Sequence, residues 1–159
     1  KHDLNHMGTN PTLYYQIGST VGSARRTATN SGAGRWNAVA VPGTFTAWSS
    51  GKPVNVAITE WSAADTYEAV TSFSCSSGLY TSNKTTITWN SPSPGGIGSN
   101  TTALRMVATH EFGHAYGLNH MSTTCNGTKT VMVQGKTKWS CSWGTEPWQD
   151  DINGVDAIY

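Results

Sequence analysis

The chain has 159 residues, of which 36% are hydrophobic, and its formal net charge is +1. This length suits one globular domain with a core of its own, and we expect a single domain over residues 1–159. Only 12% of the residues are charged and no basic run occurs, so neither nucleic acid nor an acidic membrane is an expected partner. No apolar stretch approaches the roughly 20 residues that span a bilayer. No signal-like segment opens the chain at Lys1, and we therefore expect a mature form without targeting or pro-segments.

The first half of the chain is predicted to combine short strands with one long helix. Residues 1–10, which include His2 and His6, are polar and are expected to form an exposed N-terminal arm. A helix is predicted over residues 22–41, although Gly32 and Gly34 weaken its middle. Strands are predicted where β-branched and aromatic residues cluster, at residues 12–17, 45–48, 54–59, 69–75 and 85–89. The strand–helix–strand order indicates a crossover connection and a largely parallel sheet, with residues 69–75 as an edge strand.

A second helix carries the chemistry. Asn100, Thr101 or Thr102 can cap it. His110 and His114 are four residues apart, so they lie on one helical face about 5.4 Å of rise apart and can share one ion. Glu111 follows His110 directly and can act as a general base without displacing a ligand. The helical period assigns Val107 and Glu111 to the core face, with the ligands on the other side.

The chain after this helix is predicted to supply a third ligand. Gly117 allows a backbone conformation that ends the helix and turns the chain back, which brings His120 towards the same ion. Three neutral nitrogens with one position left for water are typical of a catalytic zinc site, whereas a structural site uses four protein ligands. The alternative is a core helix with hydrogen-bonded histidines, but it leaves the fixed spacing of these residues unexplained.

The last third of the chain contains a methionine, two cysteines and a final helix. Met132 lies in a short apolar segment. Core filler is the commoner role of a methionine, but its place downstream of a third histidine resembles that of the methionine turn under the metal in a known peptidase family. A bridge between Cys125 and Cys141 is favoured and would contribute about 3 kcal/mol, but pairing of Cys75 with either of them stays open. A helix is predicted over residues 148–158, with acidic residues near its positive end.

His-Glu-x-x-His-x-x-Gly-x-x-His followed by a methionine turn is the pattern of the metzincin peptidases. Within that group, the chain from Thr101 onward resembles a matrixin catalytic domain, the fold of the matrix metallopeptidases. The strongest similarity covers residues 110–120, 131–132, 150–155 and 158–159. Looser similarity covers residues 35–37, 43–46 and 54–59.

The resemblance implies an α+β fold: a five-stranded twisted mixed sheet with one antiparallel edge strand, two long helices and a C-terminal helix. It also implies a secreted, monomeric zinc endopeptidase that acts on protein or peptide substrates, with a pro-segment or protein inhibitor as further partners. The cysteines around the methionine turn are similar to those of snapalysin-like enzymes, which use aspartate as their third ligand.

Two departures from the matrixin pattern matter for the site. Met121 stands where matrixins usually have serine. The segment between Trp61 and Thr85 lacks the His and Asp residues that hold the family's structural zinc and much of its calcium. We therefore expect one zinc ion, with calcium left open.

The predicted mechanism uses His110, His114 and His120 as zinc ligands. The metal would bring the pKa of its water to about 7, and Glu111 would take up the proton and return it to the leaving amine. The substrate would lie extended along the edge strand 69–75. One side chain would enter a pocket formed by five residues in which Gln134-Gly135-Lys136 replaces the family's Pro-x-Tyr wall. These five are Val131, Val133, Gln134, Gly135 and Lys136.

Two other functions compete with the peptidase. Seven tryptophans are compatible with a carbohydrate-binding module, but a sugar binder has no need of a glutamate between two metal-spaced histidines. A zinc-binding domain without catalysis would have lost its base, and here Glu111 is intact. Composition and spacing give neither the natural substrate nor its preferred cleavage site.

Overall fold

A mixed β-sheet forms the frame on which the predicted metal helix lies. The computed structural model describes residues 6–8, 12–62, 65–91, 93–135 and 137–159. Within these ranges the sheet has five strands: β1 (Thr12–Ile17), β2 (Thr44–Ala47), β3 (Val56–Trp61), β4 (Ala69–Ser76) and β5 (Leu79–Asn90). The described helices are α1 (Ser23–Asn37), α2 (Thr101–Tyr116), α3 (Thr137–Ser140) and α4 (Gln149–Asp156).

The strand order is β2-β1-β3-β5-β4. Strands β2, β1, β3 and β5 pair in parallel, and β4 pairs antiparallel with β5 at one edge of the sheet. This arrangement confirms the predicted α+β class, the crossover connection and the single antiparallel edge strand. The β4–β5 hairpin turns through Ser77 and Gly78, both with positive φ, which is the backbone that a two-residue hairpin requires.

Most element boundaries differ from the prediction by a few residues. Helix α1 ends at Asn37 and not at Val41, because Val39 and Val41 pack against the core from an irregular segment. Strand β5 begins at Leu79, six residues before the predicted start, since pairing with β4 extends its polar first half. Helix α3 was not predicted, because four residues are too few to show a helical period.

The prediction of an exposed N-terminal arm is wrong for the part of it that the structure describes. Met7 is fully buried in the core, and His6 forms an isolated bridge to Leu79. The ring of His6 also packs edge-on against Tyr159, with the ring centroids 5.1 Å apart. His2 and the rest of residues 1–5 and 9–11 lie outside the described residues.

The core lies between the sheet and the two long helices. Phe112 of α2 packs against Tyr15 of β1 and Phe45 of β2. The indole nitrogen of Trp36 in α1 donates a hydrogen bond of 2.8 Å to the backbone oxygen of Thr109 in α2. These contacts fix α2, and with it the predicted ligands, relative to the sheet. No helix in the described ranges combines the length and the apolar character that crossing a bilayer needs.

Candidate metal centre

Helix α2 carries the first two histidines, and it ends where the chain turns back towards them with the third. The side chain of Asn100 accepts a hydrogen bond from the backbone N–H of Ala103 and so caps the helix at its start. At the other end Gly117 has φ 106°, a left-handed conformation that residues with a Cβ resist. The chain therefore leaves the helix after Tyr116 and returns His120 to the same side.

The three histidines converge on one point. The Nε2 atoms of His110 and His114 are 3.2 Å apart, those of His110 and His120 are 3.2 Å apart, and those of His114 and His120 are 3.0 Å apart. Among the described residues, these three are the one group of metal-binding side chains whose donor atoms cluster this closely.

The tautomers of two of the histidines follow from their second nitrogens. Nδ1 of His110 lies 2.7 Å from the backbone oxygen of Val131, and Nδ1 of His114 lies 2.7 Å from that of Leu118. A carbonyl oxygen only accepts, so each Nδ1 carries the proton and each Nε2 presents a lone pair. Carbonyl partners of this kind orient the ligands of a metal.

The donor set fits a zinc ion. Nitrogen lone pairs that face one another repel unless a cation lies between them. Zinc–nitrogen bonds of about 2.0–2.1 Å in tetrahedral geometry would hold the nitrogens roughly 3.3–3.4 Å apart. The observed separations lie close to this value. Burial lowers the pKa of His110 well below its usual range, and the charge of Lys138 lowers it further. Burial also lowers the pKa of His120, so these rings stay neutral, as ligands must be.

Glu111 lies beside this cluster, almost fully buried. Its Oε2 accepts a hydrogen bond of 2.7 Å from the hydroxyl of Thr71 on β4. Burial raises the pKa of the Glu111 carboxyl, while the hydrogen bond from Thr71 and the charge of Lys138 oppose that rise. The helical period assigns Glu111 and Val107 to the core face, away from the ligands. In the structure both line the cleft together with His110 and His114.

Met132 packs against helix α2 between the two helical histidines. It is buried, and a Cβ added to Gly113, which lies between the two helical ligands, would overlap the Met132 sulfur. The glycine therefore allows the methionine to approach the helix this closely. The carboxylate of Asp151 in α4 fixes the two residues before Met132, since it accepts hydrogen bonds from the hydroxyl of Thr130 and from the backbone N–H of Val131.

The predicted disulfide between Cys125 and Cys141 is present. It joins the loop that follows His120 to the end of α3, on either side of Met132. Cys75, whose pairing the sequence leaves open, lies on β4 as an exposed thiol.

A cleft of about 670 Å³ opens over the histidines. Residues of β4 line it, and so do Gln134, Gly135, Lys138 and Trp139. Of the predicted pocket residues, Gln134 and Gly135 line the cleft, whereas Val131 and Val133 are buried behind it. Lys136 lies outside the described residues.

Several cleft residues had not been predicted. Thr71 was overlooked because a threonine in an edge strand carries no sequence signal of its own. Lys138 and Trp139 also line the cleft; they lie in the short helix α3, which showed no periodic pattern.

Comparison with known proteins agrees with this geometry. A family model described as Matrixin, peptidase family M10, matches residues 35–159, well over half of the chain. No curated protein matches the chain significantly. The matched segment contains all three histidines, Glu111 and Met132. The chain therefore belongs to the matrixins, a family of zinc-dependent metalloendopeptidases.

Proposed function

We propose that this protein is a secreted endopeptidase that hydrolyses extended protein or peptide substrates, with Glu111 as its general base. The observation that carries the proposal is the arrangement of Glu111 within the cleft, next to three histidines whose Nε2 atoms converge. Zinc bound there would supply a Lewis acid that activates water and polarises a carbonyl group. His110, His114 and His120 would be its ligands.

Glu111 has the properties that its proposed role requires. Its Oε2 accepts a hydrogen bond from Thr71, and Oε1 would accept a proton from water. Because burial raises the pKa of the carboxyl, it holds an accepted proton more readily than a solvated glutamate and can return it to the departing amine. A pKa nearer the working pH suits a group that both accepts and returns a proton.

The substrate would lie along β4. This strand has β5 on one side and no described strand on the other, so its outer edge offers backbone groups to an extended peptide. Thr71 belongs to β4 and also contacts Glu111, which supports a substrate position next to the proposed base. The scissile bond would then lie between the edge strand and the three histidines.

Secretion is supported by the Cys125–Cys141 bridge, since disulfides persist in oxidising compartments. We propose that the whole chain forms one catalytic domain that acts as a monomer.

The test is to replace Glu111 by alanine and to measure peptide cleavage and zinc content together. Loss of the base should lower kcat by roughly 10²–10⁴-fold, with zinc retained at one equivalent. Glu146→Ala is a matched control, because Glu146 is an exposed carboxylate paired with Arg35 on the surface. Undiminished cleavage by a zinc-loaded Glu111→Ala variant would disprove the proposed role.

A further inference from the structure

Lys138 is an unusual residue for the wall of a peptidase cleft. It lines the cleft, yet it is only 7% exposed. Lysine side chains are almost never this buried unless a charge partner compensates them. The environment of its ammonium group therefore calls for an explanation.

Among the described residues, the ammonium of Lys138 makes one hydrogen bond, of 3.0 Å, to the backbone oxygen of Val133. An ammonium group has three donors. The negative charges of Glu111 and Asp151 raise the pKa of Lys138, but neither carboxylate forms an ion pair with it in the described part of the chain.

Both of these carboxylates accept hydrogen bonds from other groups. Glu111 accepts from Thr71, and Asp151 accepts from Thr130, Val131 and Trp148. Burial lowers the pKa of Lys138 to about 8, so the group is still mostly protonated at neutral pH. The cleft wall thus contains a buried cation whose charge lacks a direct partner within the described residues.

A buried charge without a partner is unfavourable, and a carboxylate that reaches it would form a strong charge-assisted hydrogen bond. The lining of the same cleft also includes Met106 and Val107 of α2, together with Gln134 and Gly135. His110, one of the three predicted ligands, lines the same cleft as Lys138. A substrate residue next to the scissile bond would direct its side chain there.

We propose that Lys138 selects substrates with an aspartate or glutamate immediately after the cleaved bond. This inference rests on the proposed endopeptidase function. It assigns to Lys138 a role in specificity, through a direct ion pair with the substrate carboxylate.

The experiment compares peptides of one sequence that carry Glu, Gln or Leu after the cleaved bond, with both termini blocked. The cleavage position itself is found first by mass spectrometry of a digested peptide library. For the wild type, kcat/KM should be roughly tenfold or more higher for the Glu peptide than for the Gln peptide. Lys138→Met should reduce this ratio to about one. The ratio is the readout because removal of the Lys138 charge also acts on Glu111 and so changes the rate for every peptide, including the Leu peptide.

Two further variants locate the effect. Lys129→Met removes one exposed lysine, which lies over the ring of Trp148, and should leave the Glu-to-Gln ratio unchanged. Lys136→Met tests the other lysine of the same segment, and loss of the ratio in that variant alone would overturn the assignment to Lys138. A peptide set with free C-termini separates a side-chain carboxylate from a terminal one; a preference that appears only with a free C-terminus also contradicts the proposal.

The outcomes distinguish this inference from the proposed function. If the zinc-loaded wild type cleaves no peptide of the library, the endopeptidase proposal fails. If it cleaves the Glu and Gln peptides equally, only the role of Lys138 fails, and this measurement does not depend on how well a variant folds. An equal loss on all peptides in Lys138→Met, with zinc content retained, would also overturn the selective role.

Discussion

The hydroxyl oxygen of Thr71 lies 2.7 Å from Oε2 of Glu111 and 3.1 Å from the backbone oxygen of the same residue. The contact joins the edge strand of the sheet to the helix that carries the histidines. One threonine therefore links the surface along which we expect the substrate to lie with the carboxylate that we expect to act on it.

Replacement of Thr71 by valine should weaken catalysis through Glu111. Valine keeps the branched shape and loses the donor, and hydrogen bonds to charged groups contribute about 1.5–3 kcal/mol. We expect kcat to fall about tenfold with little change in KM. Because the hydrogen bond lowers the pKa of Glu111, its loss raises that pKa, and the acid limb of the rate profile should move to higher pH.

The control for this variant is Thr71→Ser, which retains the hydroxyl group. Its kcat and its acid limb should stay close to those of the wild type. If Thr71→Val shifts neither kcat nor the pH profile, the hydrogen bond does not position the base.

The local sequence contained most of the information about the metal ligands. His110, His114, Gly117 and His120 are determined by the geometry of one helix and one turn, so their spacing alone predicted that they would meet. The contacts between β4 and α2 depend on how the sheet and helix pack. Thr71 and Glu111 are forty residues apart, and no local pattern reveals such a pair.

The cleft residues, too, depend on tertiary packing that no local sequence pattern reveals. The periodicity of α2 predicted Glu111 on the core face of the helix. Most residues of α2 are buried, so the helix has no single polar side from which the cleft can be recognised. Helix α3, with Lys138, is held by the turn around Val133 and by the disulfide at Cys141. Its position is a consequence of tertiary structure.

The zinc-free protein should lose stability in mild acid, in part because of His110. Burial lowers the pKa of this histidine well below its ordinary 6.5. Below about pH 6.5 the unfolded chain therefore binds a proton at this position that the folded chain does not bind, and the free energy of unfolding falls as the pH falls. The melting temperature of the zinc-free protein should therefore fall between about pH 7.5 and 5.5, and thermal unfolding over this range measures the fall.

His110→Gln isolates the contribution of the histidine. The melting temperature of this variant should fall less over the same pH range than that of the wild type. Glu111 and Asp151, whose pKa values are raised by burial, contribute with the opposite sign and are present in both proteins. Equal falls in melting temperature would contradict the assignment of the effect to His110.

Removal of the disulfide should destabilise the segment around the methionine turn. Cys125 and Cys141 are 16 residues apart, and a loop of this size corresponds to about 3 kcal/mol in the chain-entropy model. A Cys125→Ser/Cys141→Ser double variant should lose about that much free energy of unfolding in urea titrations. Cys75→Ser, which removes an exposed thiol, should change it by less than about 0.5 kcal/mol.

Replacement of Gly113 by alanine should test how tightly Met132 packs under the histidines. The added Cβ would overlap the sulfur of Met132 and lie 3.2 Å from Cζ2 of Trp36. Overpacking of this kind typically costs about 1–3 kcal/mol. Gly34→Ala is the matched control: it lies in α1 with no atom within 4 Å of its added Cβ, and it should stabilise the protein by about 0.5–1 kcal/mol.

A double-mutant cycle tests whether the loss of stability in Gly113→Ala comes from the contact with Met132. Met132→Ala alone should cost about 2–5 kcal/mol because it leaves a cavity, and the same cavity would accommodate the methyl group that Gly113→Ala adds. The double variant should therefore be more stable than the sum of the single changes predicts, by about 1 kcal/mol. Urea titrations of the four proteins measure this coupling. Strict additivity would mean that the side chain of Met132 moves aside without cost, and that Gly113 is not required for the close approach of the methionine turn to the metal helix.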